Sequence, residues 1–279
     1  MLRQSTLQGN LRSLRTPRNE GSMSYSATEM MTVAAARALR NSDICFVGIG
    51  MPSAACNLAR LTHAPDITLI YESGTIATKP DILPLSIGDG ELCDTALTTV
   101  PVVEMFRYWL QGGRFTVGFL GGAQVDRFAN LNTTVVGPYD KPRTRLPGGG
   151  GAPEISSACG EIFIIMRQSP RSFVAKLDFV TSFGHGEGGD HRSRMGIATR
   201  GPTKLVTDLA VFEPDPASKE MTVTSIHPGV TREQIQSNAG WPVRHAAAAI
   251  ETPAPTDREL AVLRELHART ARAHGDAAS

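Results

Sequence analysis

Apolar residues in this chain come in short unbroken runs rather than in strict alternation. ICFVGIG (Ile44 to Gly50), ITLIY (Ile67 to Tyr71), the stretch from Phe115 to Leu120 and EIFIIM (Glu161 to Met166) all read this way. Such runs predict parallel strands covered on both faces. Helical segments are expected between them. SATE (Ser26 to Glu29) has the capping-box pattern, and an Ala-rich helix follows it to about Arg40. Other helices are expected from Pro52 to Arg60, from Val102 to Leu110, from TREQI onward, and from TDREL to near His274. A strand is also expected from Phe173 to Val180. Leu205 to Glu213 and Met221 to Ile226 read as antiparallel neighbours across EPDPASKE. Alternating buried strands and helices predict one three-layer α/β domain with a mostly parallel central sheet over residues 25–274.

The ends differ in composition. Residues 1–24 hold Arg3, Arg12, Arg15 and Arg18 against the single acid Glu20, without the apolar stretch of a signal peptide. A disordered tail, an organellar transit segment and an upstream start ahead of Met23 all fit. Residues 275–279 are expected to fray. Charge narrows the function classes. With 28 Lys plus Arg against 27 Asp plus Glu, the chain lacks the basic excess of a nucleic-acid binder. No apolar run is long enough to span a bilayer. Cys45, Cys56, Cys93 and Cys159 are widely spaced with no C-x-x-C pair, as expected of reduced thiols in a cytoplasmic protein.

Candidate chemistry sits where the runs end. In LIYESG the carboxylate of Glu72 either marks the point where a strand reaches water or is a group held out for reaction. GIGMPS has neither the G-x-G-x-x-G spacing nor a Walker lysine, so Gly48 and Gly50 form a tight turn or offer amides to an anion. In GFLGGAQVD, Gly121 and Gly122 would let a ligand approach the backbone, while Gln124 receives negative charge or caps a turn. Gly148, Gly149, Gly150 and Gly151 precede Ala152 in a run that is either a linker or a working loop. Arg143 and Arg145 before it are anion contacts or solvated side chains. FGHGEGGDHRSR contains His185 and His191 but no helical frame, so a loop without metal is expected. There is no G-x-S-x-G elbow and no H-E-x-x-H.

Taken in order, these segments resemble the beta subunit of class I coenzyme A transferases, most closely the glutaconate type. The resemblance spans roughly residues 25–265. It is carried by GIGMPS, YESG, PLSIGD, GFLGGAQVD with the trailing Asn130 to Thr134, GGGGAPEIS and KLDFVTSFG. It implies that Glu72 attacks an acyl-CoA thioester, passes through a mixed anhydride to a glutamyl-CoA thioester, and hands CoA to an acceptor carboxylate. It also implies that Gln124 and a backbone amide at Gly150 or Gly151 stabilise the oxyanion. Contacts to CoA or substrate would fall to Gly48, Gly50, Ser73, Gly74, Gly121, Gly122, Gly148, Gly149 and Ala152. Coenzyme A enters as a substrate thioester, no resident cofactor or metal is implied, and the expected partner is a homologous alpha subunit. The competing expectation is a CoA-ester or ring-cleaving hydrolase on the same scaffold. Ring-cleaving relatives tend to lack the glutamate that YESG retains.

Overall fold

The computed structural model describes residues 24–275. The expected tails, apart from Ser24 and Gly275, lie outside the described residues. Along the chain run α1 (Ala27–Arg37), β1 (Ile44–Val47), α2 (Met51–Thr62), β2 (Thr68–Tyr71), β3 (Thr75–Ile76), α3 (Gly90–Asp94), β4 (Thr98–Thr99), α4 (Val102–Glu104) and β5 (Val117–Leu120). Two small hairpins follow, β6 (Gln124–Val125) with β7 (Leu131–Asn132) and β8 (Val135–Val136) with β9 (Thr144–Arg145). The remainder is α5 (Ala152–Ala158), β10 (Glu161–Ile165), α6 (His191–Arg194), β11 (Pro202–Val206), β12 (Ala210–Pro214), β13 (Met221–Ile226), α7 (Arg232–Ser237), β14 (Arg244–Glu251) and α8 (Asp257–Gly275).

Ten strands form one sheet in the order β14-β13-β12-β11-β10-β5-β1-β2-β3-β4. From β11 to β2 every neighbour is parallel, and the antiparallel pairs are confined to the flanks. The apolar runs bury both faces, as expected. Cys45, Val47, Leu69, Tyr71, Phe163 and Ile165 face a core shared with α1, α2 and α8. Phe46, Ile70, Ile162 and Ile164 face a second core with Met105, Leu110, Ile155 and Ile235. The result is a three-layer α/β architecture. The chain leaves β1 for β2 on one side and returns to β5 on the other. Ligands in open α/β sheets bind at such a reversal, beyond the carboxyl ends of the strands.

Local chemistry accounts for several helix starts. Ser26 and Glu29 form the capping box of α1, with the Ser26 amide donating to Glu29 Oε2 at 2.7 Å. Thr231 and Gln234 do the same for α7. Two expectations need correction. Phe173 to Val180 is not a strand: only Phe173 bridges to Val125, because the segment crosses the β6–β7 hairpin rather than joining the sheet. Leu205 to Glu213 is not one strand but the adjoining parts of β11 and β12, folded back where the Thr207 hydroxyl accepts the amides of Leu209 and Ala210. Only β12 pairs antiparallel with β13. The helix expected from Val102 to Leu110 does form over those residues, beginning as α4 and widening at Met105–Leu110 into a π-turn, with Gln111 N–H donating to Phe106 O at 2.9 Å.

Candidate active site

Strand β2 ends on Tyr71, which is fully buried, and its hydroxyl lies 2.7 Å from Ser53 Oγ in α2. The Gly74 amide donates back to Tyr71 O at 3.0 Å, so Glu72 and Ser73 occupy the corner of a tight turn. A carboxylate at the corner of a turn anchored by a buried tyrosine is held out rigidly. Its oxygens form no hydrogen bond or ion pair with any described residue. Burial holds the Glu72 carboxyl above the ordinary glutamate range.

Opposite stands the glycine run. Thr133 pins its start twice, accepting the Gly148 amide at 2.8 Å and donating its hydroxyl to Gly148 O at 2.8 Å. The run then enters α5, where Ile155 N–H donates to Gly151 O at 2.9 Å. The amides of Gly149, Gly150 and Gly151 donate to no acceptor among the described residues. Gly151 is required by close approach: a Cβ there would lie 2.7 Å from Phe106 Cζ and 3.0 Å from Glu72 Oε1. Phe106 comes from the π-turn and is backed edge-on by Phe46 at 5.9 Å between centroids. Widened turns of this kind recur at functional sites.

Between these elements lies a cavity of about 700 Å³. Its wall includes Gly48, Gly50, Glu72, Gly121, Gly148, Gly149, Gly150, Gly151 and Ala152, which the structure therefore brings together. The other wall residues are apolar, among them Phe46, Met51, Ile87, Phe119, Leu120, Ile155 and Ile165. Phe106 behind Gly151 and Ile87 at the rim could not be found from sequence, since a lone aromatic on a helix and an isoleucine in a loop carry no local signal.

Four expected site residues lie outside the wall. Gln124 is buried, and its carboxamide oxygen accepts from Asn132 Nδ2 at 2.7 Å while its nitrogen donates to Asp178 Oδ2 at 2.9 Å. It braces the turn that carries Thr133 instead of facing Glu72. Gly74 has φ +99°, and a Cβ would fall 1.9 Å from Val100 O, so it serves the β3–β4 packing. Gly122 packs against the β6–β7 hairpin, with Leu131 Cδ2 3.2 Å from a Cβ position. The Ser73 hydroxyl is buried without a partner among the described residues. The FGHGEGGDHRSR segment is used structurally. His185 Nε2 bonds Pro202 O at 2.7 Å, and Arg192 donates to Ser156 O at 2.6 Å beside the end of α5.

A sequence profile described as Coenzyme A transferase matches residues 28–238. Over 251 residues the chain is 63% identical to the B-type subunit of 3-oxoadipate CoA-transferase from Pseudomonas knackmussii, covering 90% of this chain and 96% of the relative. Identity to the B-type subunit of glutaconate CoA-transferase from Acidaminococcus fermentans is 33% over 86% of this chain and 92% of the relative. The crystal structure of that glutaconate CoA-transferase superposes with a TM-score of 0.81 at 31% identity, covering 86% of this chain and 94% of that one. The IpdB subunit of the cholesterol ring-cleaving hydrolase of Mycobacterium tuberculosis is 28% identical over 85% of this chain and 92% of its own length. The likeness to the glutaconate type is real, but the 3-oxoadipate relative stands much nearer than it does. This chain belongs to the class I coenzyme A transferase family, on its beta-subunit side.

Proposed function

We propose that the chain is the beta subunit of a CoA-transferase that exchanges CoA between dicarboxylates, 3-oxoadipate first among them, through a covalent intermediate on Glu72. The observation that carries this reading is a partly buried carboxylate with no partner among the described residues, against a glycine wall with uncommitted amides. A Glu72 oxygen attacks the thioester carbonyl of the donor acyl-CoA, and the C–S bond breaks to leave a mixed anhydride and CoA thiolate. The thiolate then attacks the Glu72 Cδ, releasing the donor carboxylate and leaving the glutamyl-CoA thioester. An acceptor carboxylate repeats the two steps in reverse and restores Glu72.

The geometry supports each requirement. Poor solvation makes a carboxylate a better nucleophile, and a fixed turn aligns it. Amides of Gly150 and Gly151 are available to the oxyanion, a contribution worth about 3–4 kcal/mol per donor in other acyl-transfer enzymes. Gln124 contributes by bracing the Thr133 turn behind that wall. The 63% identity to a 3-oxoadipate enzyme subunit supports the substrate choice. A homologous alpha subunit would close the site. The helix that brings Phe106 to Gly151 exposes Val102, Val103 and Tyr108, with Leu97 just before it, as an apolar face for such a partner.

Trapping tests the reading. The chain is co-expressed with its alpha subunit, incubated with 3-oxoadipyl-CoA without acceptor, and reduced with borohydride. Reduction of the peptide bearing Glu72 to the alcohol, found by mass, is the expected result. Full turnover without any modified Glu72 would sink the covalent route.

A further inference from the structure

A glutamyl thioester is exposed to a competing reaction. Water can attack the Glu72 carbonyl, break the C–S bond and release CoA as the thiol, returning Glu72 as a carboxylate with loss of a proton. Transfer requires this reaction to be slow, and the cavity wall indicates how. Apart from Glu72 itself, no wall residue among those described carries a carboxylate, imidazole, hydroxyl or amine that would activate a water. Hydrolysis is then limited by access of water to the carbonyl.

One loop residue of this chain reaches the cavity from outside the sheet and the glycine run. Among the described residues, Ile87 alone reaches the wall from the segment between β3 and α3. It sits at the tip of a turn whose base is tied on both sides by Asp89. One Asp89 carboxylate oxygen accepts the Leu85 amide at 3.0 Å and the other accepts the Glu91 amide at 3.2 Å. The Gly88 amide closes the tip on Ser86 Oγ at 3.2 Å. This frame holds a large apolar side chain at the cavity while leaving it 43% exposed. Of the two exposed apolar side chains on this turn, Leu85 lies outside the cavity wall and only Ile87 lines it, a placement that core packing does not explain.

We propose that Ile87 is the residue that shields the glutamyl thioester from water and so sets the partition between transfer and hydrolysis. The inference rests on the reading of Glu72 as the nucleophile. Its test uses the complex with the alpha subunit, loaded with acyl-CoA and freed of small molecules, with CoA thiol release followed in the absence of acceptor. Ile87→Ser is expected to shorten the thioester lifetime about tenfold, with Ile87→Val close to the parent. Ile87→Ala, scored in the same way, replaces the serine variant should that one fold poorly. Equal lifetimes in all forms overturn the proposal. So does loss of co-purification with the alpha subunit, which would assign Ile87 to the subunit contact. If the parent protein forms no trappable thioester, both the Glu72 reading and this inference fall; if it does, only the lifetimes decide.

Discussion

Two sheltered glutamates, Glu72 and Glu161, stand at opposite edges of the same parallel strands and lead opposite lives. Glu161 opens β10 at the amino edge. Its Oε1 accepts from Arg40 at 2.8 Å and Arg200 at 2.5 Å, and its Oε2 accepts from the Thr203 hydroxyl at 2.6 Å. Asp43, beside it, is held by the same Arg40 and by Thr116. Glu72 follows β2 at the carboxyl edge and has no such partner among the described residues. A buried carboxylate is normally paired because desolvating a charge is costly. At the amino edge that rule is obeyed. At the carboxyl edge a partly buried carboxylate stands unpaired at a cavity, next to glycines whose amides are also uncommitted, and local departures of this kind mark functional sites.

The contrast can be broken at either end. Glu72→Gln keeps the shape and removes the nucleophile, so transfer by the complex should fall by about 10³-fold or more. Steady-state assay with the alpha subunit measures it, and a Tm at or above the parent's would show that the fold did not depend on the charge. Gly151→Ala comes next. Its methyl would collide with Phe106 and crowd Glu72 Oε1, displacing the nucleophile at a cost of about 10²-fold in kcat. Borohydride trapping should slow in parallel. Glu161→Ala should act on stability alone, lowering it by about 2 kcal/mol in chemical denaturation while kcat stays near the parent's. The loss is moderate because Arg40 and Arg200, with side chains 56% and 59% exposed, can turn to water.

The smallest effect concerns pH. Burial raises the Glu72 pKa, so the folded state holds that proton more tightly than the unfolded chain. Between the ordinary glutamate value and the raised one, the contribution of Glu72 to stability falls as pH rises. Activity moves the other way, because attack needs the carboxylate. Tm measured across the acid range should therefore lose part of its pH dependence in Glu72→Gln, while the acid limb of the rate profile lies above the usual glutamate value.

Much of this was legible in the chain itself. Unbroken apolar runs announced strands buried on both sides, SATE announced its capping box, and TREQI announced the start of a helix. Glu72 and the run Gly148 to Gly151 could be singled out because a charge at a strand end and consecutive glycines are local departures from what a core needs. Arg40, Glu161 and Arg200 could not be joined in this way, since 121 positions separate the first two and no local pattern links them. The segment from Phe173 to Val180 misled for a related reason. It has strand composition, but it meets the β6–β7 hairpin only at isolated bridges, Phe173 to Val125 and, just past its end, Ser182 to Leu131.

Gln124 shows the limit most clearly. Its identity and its place at a strand exit suited an oxyanion donor, and only the fold directs its carboxamide to Asn132 and Asp178. What the sequence determined by itself was periodicity, caps, glycine positions and the family, because these are properties of neighbours along the chain. Which side chains face the cavity was decided by the tertiary structure. A strand's exit angle, the width of a helical turn at Phe106 and the frame under Ile87 depend on contacts between segments distant in sequence, and no spacing along the chain encodes those contacts.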